Sequence, residues 1–194
     1  MQLRSLLKVV SVALLAASFS ACPSGQGPSS TEQGASPSAG GEEQEPEGLL
    51  GFVEARPGLF VGGRPSAAVL EAAAARDVTM VVSLLPPDPA DDEAAQVREL
   101  GMTFVSIPVA SAEDLTEERA RKLGDALAQA GGHSVLLHCA SGNRAGALLA
   151  LTAYYVEGMN ASVALELGER AGMTSLTETV RAKLMAECAA EERC

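Results

Sequence analysis

Residues 135–146 read Val-Leu-Leu-His-Cys-Ala-Ser-Gly-Asn-Arg-Ala-Gly. The apolar run predicts a strand that ends at His138, and the small and apolar residues after Arg144 predict the start of a helix. Loop N–H groups, the positive end of that helix and a guanidinium can converge on one anion beside Cys139. The pattern therefore predicts a cysteine nucleophile aimed at an oxyanion. The predicted anion-binding loop consists of Ala140, Ser141, Gly142, Asn143 and Arg144.

The residue types in this loop suit nucleophilic chemistry at phosphorus or sulfur. A helix N-terminus and a nearby arginine both favour the thiolate form of a cysteine, which is the nucleophile. Loop amides and Arg144 would hold the oxygens on which negative charge develops, and Gly142 permits the tight turn. The alternative is a small buried cysteine in a strand-to-helix turn. The Ser-Gly-Asn-Arg that follows Cys139 favours the functional interpretation.

Strand and helix patterns alternate along the rest of the chain. A hairpin is predicted over residues 52–62, and the predicted strands span residues 78–85, 103–109 and 135–138. Helices are predicted over residues 67–76, 91–100, 116–130, 144–157, 161–171 and 176–190. This alternation predicts an α/β fold with a mainly parallel sheet flanked by helices. Because active sites in such sheets lie beyond the carboxyl ends of the strands, the loops after Leu85, Val109 and His138 are expected to meet.

The N-terminal sequence is typical of an export signal. Arg4 and Lys8 precede a short apolar run, and small residues then lead to Cys22. Such a run is too short to span a bilayer comfortably and is typical of a secretory signal peptide, here residues 1–21. A cysteine directly after the small residues resembles a bacterial lipoprotein signal, in which Cys22 would be lipidated. Ordinary signal cleavage nearby is the alternative.

Two further segments follow from composition. Residues 22–48 consist mostly of Pro, Gly, Ser, Gln and Glu, and bury too little apolar surface to offset the entropy of ordering. We interpret them as a flexible tether that holds a domain away from a membrane. Residues 49–194 then form one α/β domain, which is long enough to bury a core of its own. The protein is expected on the periplasmic or cell-surface side of a membrane.

Charge and cysteine content exclude several classes of protein. The net charge of −11 and the absence of tryptophan argue against a nucleic-acid binder, which would present a basic face. No Cys-x-x-Cys pair or histidine cluster is present, so neither a metal site nor a cofactor is expected. Cys188 and Cys194 remain near the C-terminus, where an oxidising compartment makes a disulfide between them plausible.

The sequence of this loop resembles the signature of a known family. His138-Cys139, Gly142 and Arg144 resemble the signature of the cysteine-dependent protein tyrosine and dual-specificity phosphatases. The resemblance extends over about residues 50–172. Residues 57–63 resemble the first hairpin of dual-specificity phosphatases, residues 81–84 their second core strand, and residues 107–109 the strand before their acid loop. It is greatest to the phosphatase-like domain of the beta-lactamase-hydrolase-like proteins, through the Gly-x-Pro-Ser element at residues 63–66 and the Cys-x4-Arg loop.

This resemblance implies roles for individual residues. Cys139 would be the nucleophile, Arg144 the phosphate clamp and His138 a support for the thiolate. Asp114 is the first candidate for the general acid and Glu113 the second. Asp88, Asp91 and Asp92 lie in another loop at the same edge, and each acid also fits a solvated or helix-start role. For Arg64 a surface role is favoured over a place in the pocket, and His133 is expected to be exposed.

Two departures from the family pattern keep alternatives open. Only four residues separate Cys139 from Arg144, where most of these phosphatases have five, and Ala145 stands where Ser or Thr usually helps the cysteine leave. Rhodanese-type sulfurtransferases also have a short loop, which holds a persulfide. The function hypotheses are therefore a hydrolase of phosphomonoesters, a sulfurtransferase or persulfide carrier, and a non-catalytic lipoprotein that binds an oxyanion or a protein. The expected partners are a phosphorylated or other oxyanion substrate and, through the lipid, a membrane.

Overall fold

The computed structural model describes residues 49–191. The predicted signal peptide, the tether and Cys22 lie outside the described residues. Cys139 is a free thiol and Cys188 is disulfide-bonded. Because Cys194 also lies outside the described residues, its pairing with Cys188 stays a prediction. Among the described residues, no helix has the length and apolar character needed to cross a membrane.

A five-stranded sheet forms the centre of the domain, in the order β1-β2-β5-β3-β4. The edge strand β1 pairs antiparallel with β2, and the other three pairings are parallel. The strands are β1 (Phe52–Arg56), β2 (Leu59–Gly62), β3 (Val78–Ser83), β4 (Thr103–Ser106) and β5 (Ser134–His138). The predicted α/β fold with a mainly parallel sheet is confirmed, and the strand that leads to Cys139 lies in the middle.

Within residues 49–191, six α-helices flank the sheet. They are α1 (Ala67–Ala74), α2 (Glu93–Glu99), α3 (Glu117–Gln129), α4 (Asn143–Tyr155), α5 (Ala161–Arg170) and α6 (Thr177–Glu191). Side-chain caps set three of their starts. The hydroxyls of Ser66 and Thr116 accept hydrogen bonds from the N–H groups of Val69 and Arg119. The side-chain oxygen of Asn160 accepts one from the N–H of Val163 at the start of α5. A 3-10 turn at Ala112–Asp114 precedes α3.

Both faces of the central strand are buried, which explains its continuous apolar sequence. Leu137 belongs to a core built with α3, α4, α5 and α6. Leu136 points to the opposite face and packs in a second core with Leu70 of α1 and Val97 of α2. Burial of each such side chain contributes about 1.5–3 kcal/mol, so the position of β5 is fixed from both sides.

Strand β4 is shorter than its apolar run suggests. The N–H of Ile107 still donates to Ser83 O at 2.9 Å, and that of Val109 donates to Leu84 O at 3.0 Å. Pro108 between them has no N–H to donate, so the regular ladder ends at Ser106. The chain nevertheless stays beside β3 as far as Val109, which brings the following loop to the carboxyl edge of the sheet.

Candidate active site

Cys139 lies at the bottom of a loop between β5 and α4. Cys139 is fully buried, whereas Ala140 and Ser141, the next two residues of the loop, are exposed. Gly142 has φ of +90°, a conformation that favours glycine, and its N–H donates to Cys139 Sγ at 3.2 Å. Helix α4 starts at the next residue, so its first N–H groups, which have no partner within a helix, face the same region. N–H groups gathered at the start of a helix in this way are the kind of arrangement that binds an oxyanion.

Residues 62–64 support one side of the loop. Cys139 N donates to Gly62 O at 3.3 Å, and Arg64 N donates to Ala140 O at 3.3 Å. Gly63 and Ser141 form an isolated antiparallel bridge. The end of β2 and the Gly-x-Pro-Ser element that follows it therefore hold the loop by their backbone.

Asn143 supports the opposite side of the loop. Its side-chain amide donates to Ser175 Oγ at 2.7 Å, and its side-chain oxygen accepts from Thr174 N at 2.7 Å. The N–H of Leu176 approaches the same oxygen at 3.4 Å. Asn143 thus ties the start of α4 to the connection between α5 and α6, which the sequence alone did not indicate.

Arg144 extends from the loop towards the segment after β4. Its Nη1 donates to the carbonyl oxygen of Val109, and the residue is half-buried. Arg119 of α3 holds the same segment, since its Nε donates to Pro108 O at 2.6 Å. Two arginines thus fix the segment that leads to Asp114, and Arg119 is a contributor that the sequence did not reveal.

Asp114 is held as an ionised acceptor. Its Oδ2 accepts hydrogen bonds from Ala110 N at 2.9 Å and Ser111 N at 3.2 Å, and its Oδ1 lies 2.9 Å from Nη2 of Arg119. The two backbone N–H groups, followed by Arg119, lower the pKa of Asp114 below its ordinary value. A hydrogen bond from the Ser111 side chain likewise lowers the pKa of the exposed Glu113. Both carboxyls are consequently protonated in a smaller fraction of molecules at neutral pH than ordinary carboxyls.

We expect Asp114→Asn to weaken the segment after β4 rather than remove a proton donor. Because the folded pKa of Asp114 is lowered, its stabilising contribution is complete above the ordinary aspartate pKa of about 3.9 and is lost as pH falls through the lowered pKa. Thermal unfolding should therefore separate the variant from wild type at pH 7, and this difference should shrink below about pH 4.

Kinetics give the second readout for Asp114→Asn, with the exposed Asp125→Asn as the control on α3. The loss in kcat should be the same factor for aryl and alkyl phosphates, since no leaving group receives a proton from Asp114. A much larger loss on alkyl phosphates, together with loss of the basic limb of the pH profile, would restore Asp114 as the general acid.

The other candidate acids lie around the loop after β3. Asp88 and Asp92 are exposed, whereas Asp91 lies 2.5 Å from Nη2 of Arg64. The Arg64 side chain is half exposed, and His133 is exposed as expected. Arg64, Asp88 and Asp91 border an open cleft of about 380 Å³. The remaining lining residues are Leu85, Pro86, Pro87 and Pro89.

Glu93 is a functional candidate whose sequence context indicates only a helix-start acid. Its side chain is nearly buried, and its Oε1 lies 3.0 Å from Nε2 of the fully buried His138. The Glu93–His138 contact and the Arg64–Asp91 pair hold the segment after β3 against β5 and the end of β2. The contact between Arg144 and Val109 holds the segment after β4 against the loop after β5. The three loops that were expected to meet therefore lie at one edge of the sheet. Only the three-dimensional path of α2 places Glu93 against the central strand.

Comparison with known proteins gives the fold. No protein-family model matches the chain, and no curated protein does. Among solved structures, a DUF442 phosphatase from Shewanella putrefaciens CN-32 is 22% identical with a TM-score of 0.55, over 71% of this chain and 92% of that chain. Tk-PTP in the active form is 22% identical with a TM-score of 0.56, over 75% of this chain and 99% of that chain.

PTPMT1 is 15% identical with a TM-score of 0.55, and the match covers 73% of this chain and 98% of that chain. The fold is that of the cysteine-dependent phosphatases. Each match covers 92% or more of the solved chain, so the likeness extends over the whole α/β domain and not the loop alone. At these identities the likeness establishes the fold alone, and the chemistry depends on the residues of this chain.

Proposed function

We propose that the protein is a cysteine-dependent phosphatase-like hydrolase of phosphomonoesters. The observation that carries this proposal is the environment of Cys139. Its thiol lies inside a Cys-x4-Arg loop at the start of a helix, and the Gly142 N–H points at its sulfur. The phosphatase-like fold supports the same assignment.

In the proposed reaction the Cys139 thiolate attacks phosphorus opposite the ester oxygen. An S–P bond forms, the P–O ester bond breaks, and its electron pair leaves with the alcohol or phenol oxygen. Water then attacks the phosphocysteine, so the S–P bond breaks, inorganic phosphate is released and the thiolate is restored. Loop amides and Arg144 hold the non-bridging oxygens as charge moves between sulfur and the leaving group.

The state of Asp114 bears on the substrate class. Two backbone hydrogen bonds and the pairing with Arg119 favour the ionised form of Asp114, so at neutral pH few molecules hold a proton there for a leaving oxygen. Leaving groups that are stable as anions need no such proton. We therefore propose that aryl phosphates and acyl phosphates are turned over in preference to alkyl phosphates.

The short loop favours sulfur transfer as a second candidate function. Four residues between Cys139 and Arg144 make a smaller cradle than five, and a persulfide on Cys139 would fit the same N–H groups. In that reaction the thiolate attacks the outer sulfur of thiosulfate, so a new S–S bond forms on Cys139, and sulfite leaves with the electron pair of the broken S–S bond. A nucleophilic acceptor then removes this sulfur from Cys139.

One experiment separates the two candidates. The full chain is incubated with an aryl phosphate or with thiosulfate, quenched in acid, and the peptide containing Cys139 is analysed by mass spectrometry. A phosphate adduct in the first sample and an unmodified thiol in the second are expected. A sulfur adduct in the second sample, with no phosphate release in the first, would replace the phosphatase assignment with the sulfurtransferase.

Ala145 predicts slow breakdown of the phosphocysteine. A hydroxyl at this position would donate to the departing sulfur, and a hydrogen bond to a charged group contributes about 1.5–3 kcal/mol, or about tenfold or more in rate. Ala145→Ser should therefore speed phosphoenzyme hydrolysis about tenfold and reduce the burst seen by rapid quench. Ala147→Ser buries the same group in the same helix and should leave the burst unchanged. An unaltered phosphoenzyme lifetime in Ala145→Ser would contradict this role.

We also propose that the protein is exported and anchored by a lipid on Cys22. This proposal rests on the sequence, in which a signal-like segment ends at a cysteine and a polar tether follows. It places the Cys139 thiolate in an oxidising compartment, where an unprotected thiolate is oxidised. Burial of Cys139 beneath the exposed Ala140 and Ser141 limits that exposure.

A further inference from the structure

A buried acid–base pair includes His138, the residue directly before the nucleophile. The Glu93 carboxylate of α2 and the His138 imidazole of β5 are 3.0 Å apart, and their side chains are 7% and 0% exposed. Neither Glu93 Oε1 nor His138 Nε2 has a hydrogen-bond partner elsewhere among the described residues, although the pair itself is not aligned as a hydrogen bond. A buried carboxylate is strongly unfavourable unless a positive charge or a donor faces it.

His138 has an acceptor next to each ring nitrogen. Nε2 faces the Glu93 carboxylate, and Nδ1 lies 3.4 Å from the carbonyl oxygen of Cys139. A neutral ring carries one N–H and would turn a lone pair towards one of these oxygens. The doubly protonated ring presents an N–H to both, so the contacts favour the imidazolium form.

We propose that Glu93 is a positioning residue that keeps His138 doubly protonated, so that the imidazolium charge stabilises the Cys139 thiolate. The inference rests on the proposed function only in taking Cys139 as the nucleophile. Helix dipole alone does not account for Glu93, because an acid that merely complements a helix start stays in water. Its burial against β5 indicates a role towards His138.

The other charged groups nearby either contact another residue or lie exposed to solvent. Asp91 accepts from Glu93 N at 3.1 Å and pairs with Arg64, and Asp88 is exposed on the same loop. Arg144 contacts the Val109 carbonyl on the far side of the loop. Within the part of the chain that the structure describes, Glu93 is therefore the anion that touches the His138 ring.

NMR of the full chain tests the protonation state directly. The sequence has two histidines, and the exposed His133 is an internal reference for a ring in water. Nitrogen-15 shifts should show His138 with both ring nitrogens protonated at pH 7, which lies above the ordinary histidine pKa of about 6.5. This measurement needs no substitution, and a neutral His138 ring at pH 7 would overturn the proposal.

The Glu93→Gln variant tests the effect on Cys139. If the uncharged amide leaves His138 neutral, the Cys139 thiolate loses a positive neighbour, and the pH midpoint of its carbon-13 β signal should rise by about one unit. Simple removal of a negative charge has the opposite sign, since the thiolate would then form more easily and the midpoint would fall. The direction of the shift thus separates positioning of the imidazolium from a general charge effect.

Glu99→Gln is the matched control, because it makes the same change at an exposed position of the same helix. It should leave both His138 and Cys139 signals at their wild-type values. A Glu93→Gln variant that keeps a doubly protonated His138, or whose Cys139 midpoint stays or falls, would overturn the proposal. Neither readout depends on turnover, so a failure of the phosphatase assignment is seen separately, as absence of phosphate release.

Discussion

Cys139→Ser is expected to lower kcat on aryl phosphates by about 10⁴-fold or more, because a serine hydroxyl at this position has no base to ionise it. Binding of an oxyanion should survive. The cradle consists of loop amides, the helix start and Arg144, and the substitution removes none of them. Calorimetric titration with phosphate should therefore give a dissociation constant within a fewfold of the wild-type value.

Arg144→Lys is the contrasting variant for this test. It retains a positive charge but loses the planar set of N–H groups that can hold two oxygens at once and reach Val109 O. Phosphate affinity should fall in Arg144→Lys and not in Cys139→Ser. Residual hydrolysis by Cys139→Ser above about one percent of wild type would show that another group carries the reaction.

The loop and its scaffold could be predicted because their signals are local. A continuous apolar strand, a cysteine, small residues and an arginine occupy consecutive positions, and the alternation of strands and helices fixes which edge carries the loops. The hydroxyl caps at Ser66 and Thr116 are likewise set by a few adjacent residues. In these cases the interacting groups are neighbours in the chain.

The support of the loop could not be predicted, because its contacts join distant positions. Asn143 bonds to residues 31–33 positions further on, and β4 and α3 separate Glu93 from His138 in the chain. A single sequence gives no reason to separate Glu93 from other helix-start acids, since its meaning depends on where α2 crosses the sheet. Asp114 shows the same limit, because its hydrogen bonds and Arg119 decide whether its carboxyl holds a proton.

Gly146→Ala is expected to have the largest effect on stability. A Cβ at Gly146 would lie 2.6 Å from both Gly168 O and Met173 N, which are backbone atoms and cannot rotate away. Helices α4 and α5 would have to separate at this point. We expect a net loss of about 2 kcal/mol or more after allowing for the better helix propensity of alanine, and a fall in Tm of about 5 °C or more.

Gly124→Ala is the matched control, because it also adds a methyl group to a helical glycine. Its Cβ would meet Cγ1 of Val156 at 2.9 Å, but Val156 is 42% exposed and its side chain can turn into solvent. The free energy of unfolding should then stay within about 1 kcal/mol of wild type. Thermal and urea unfolding measure both variants, and equal stability of the two would contradict close packing between α4 and α5.

Gly146 also links this packing to the active site. It lies two residues after Arg144 and one turn after Gly142, so a shift of α4 away from α5 moves the helix start and the guanidinium together. A displacement of about 1 Å at reacting groups can lower the rate about 10²-fold. In Gly146→Ala, kcat/KM should therefore fall by more than the unfolded fraction explains, whereas in Gly124→Ala it should not. A Gly146→Ala chain that is destabilised yet fully active per folded molecule would show that the loop is positioned independently of the α4–α5 contact.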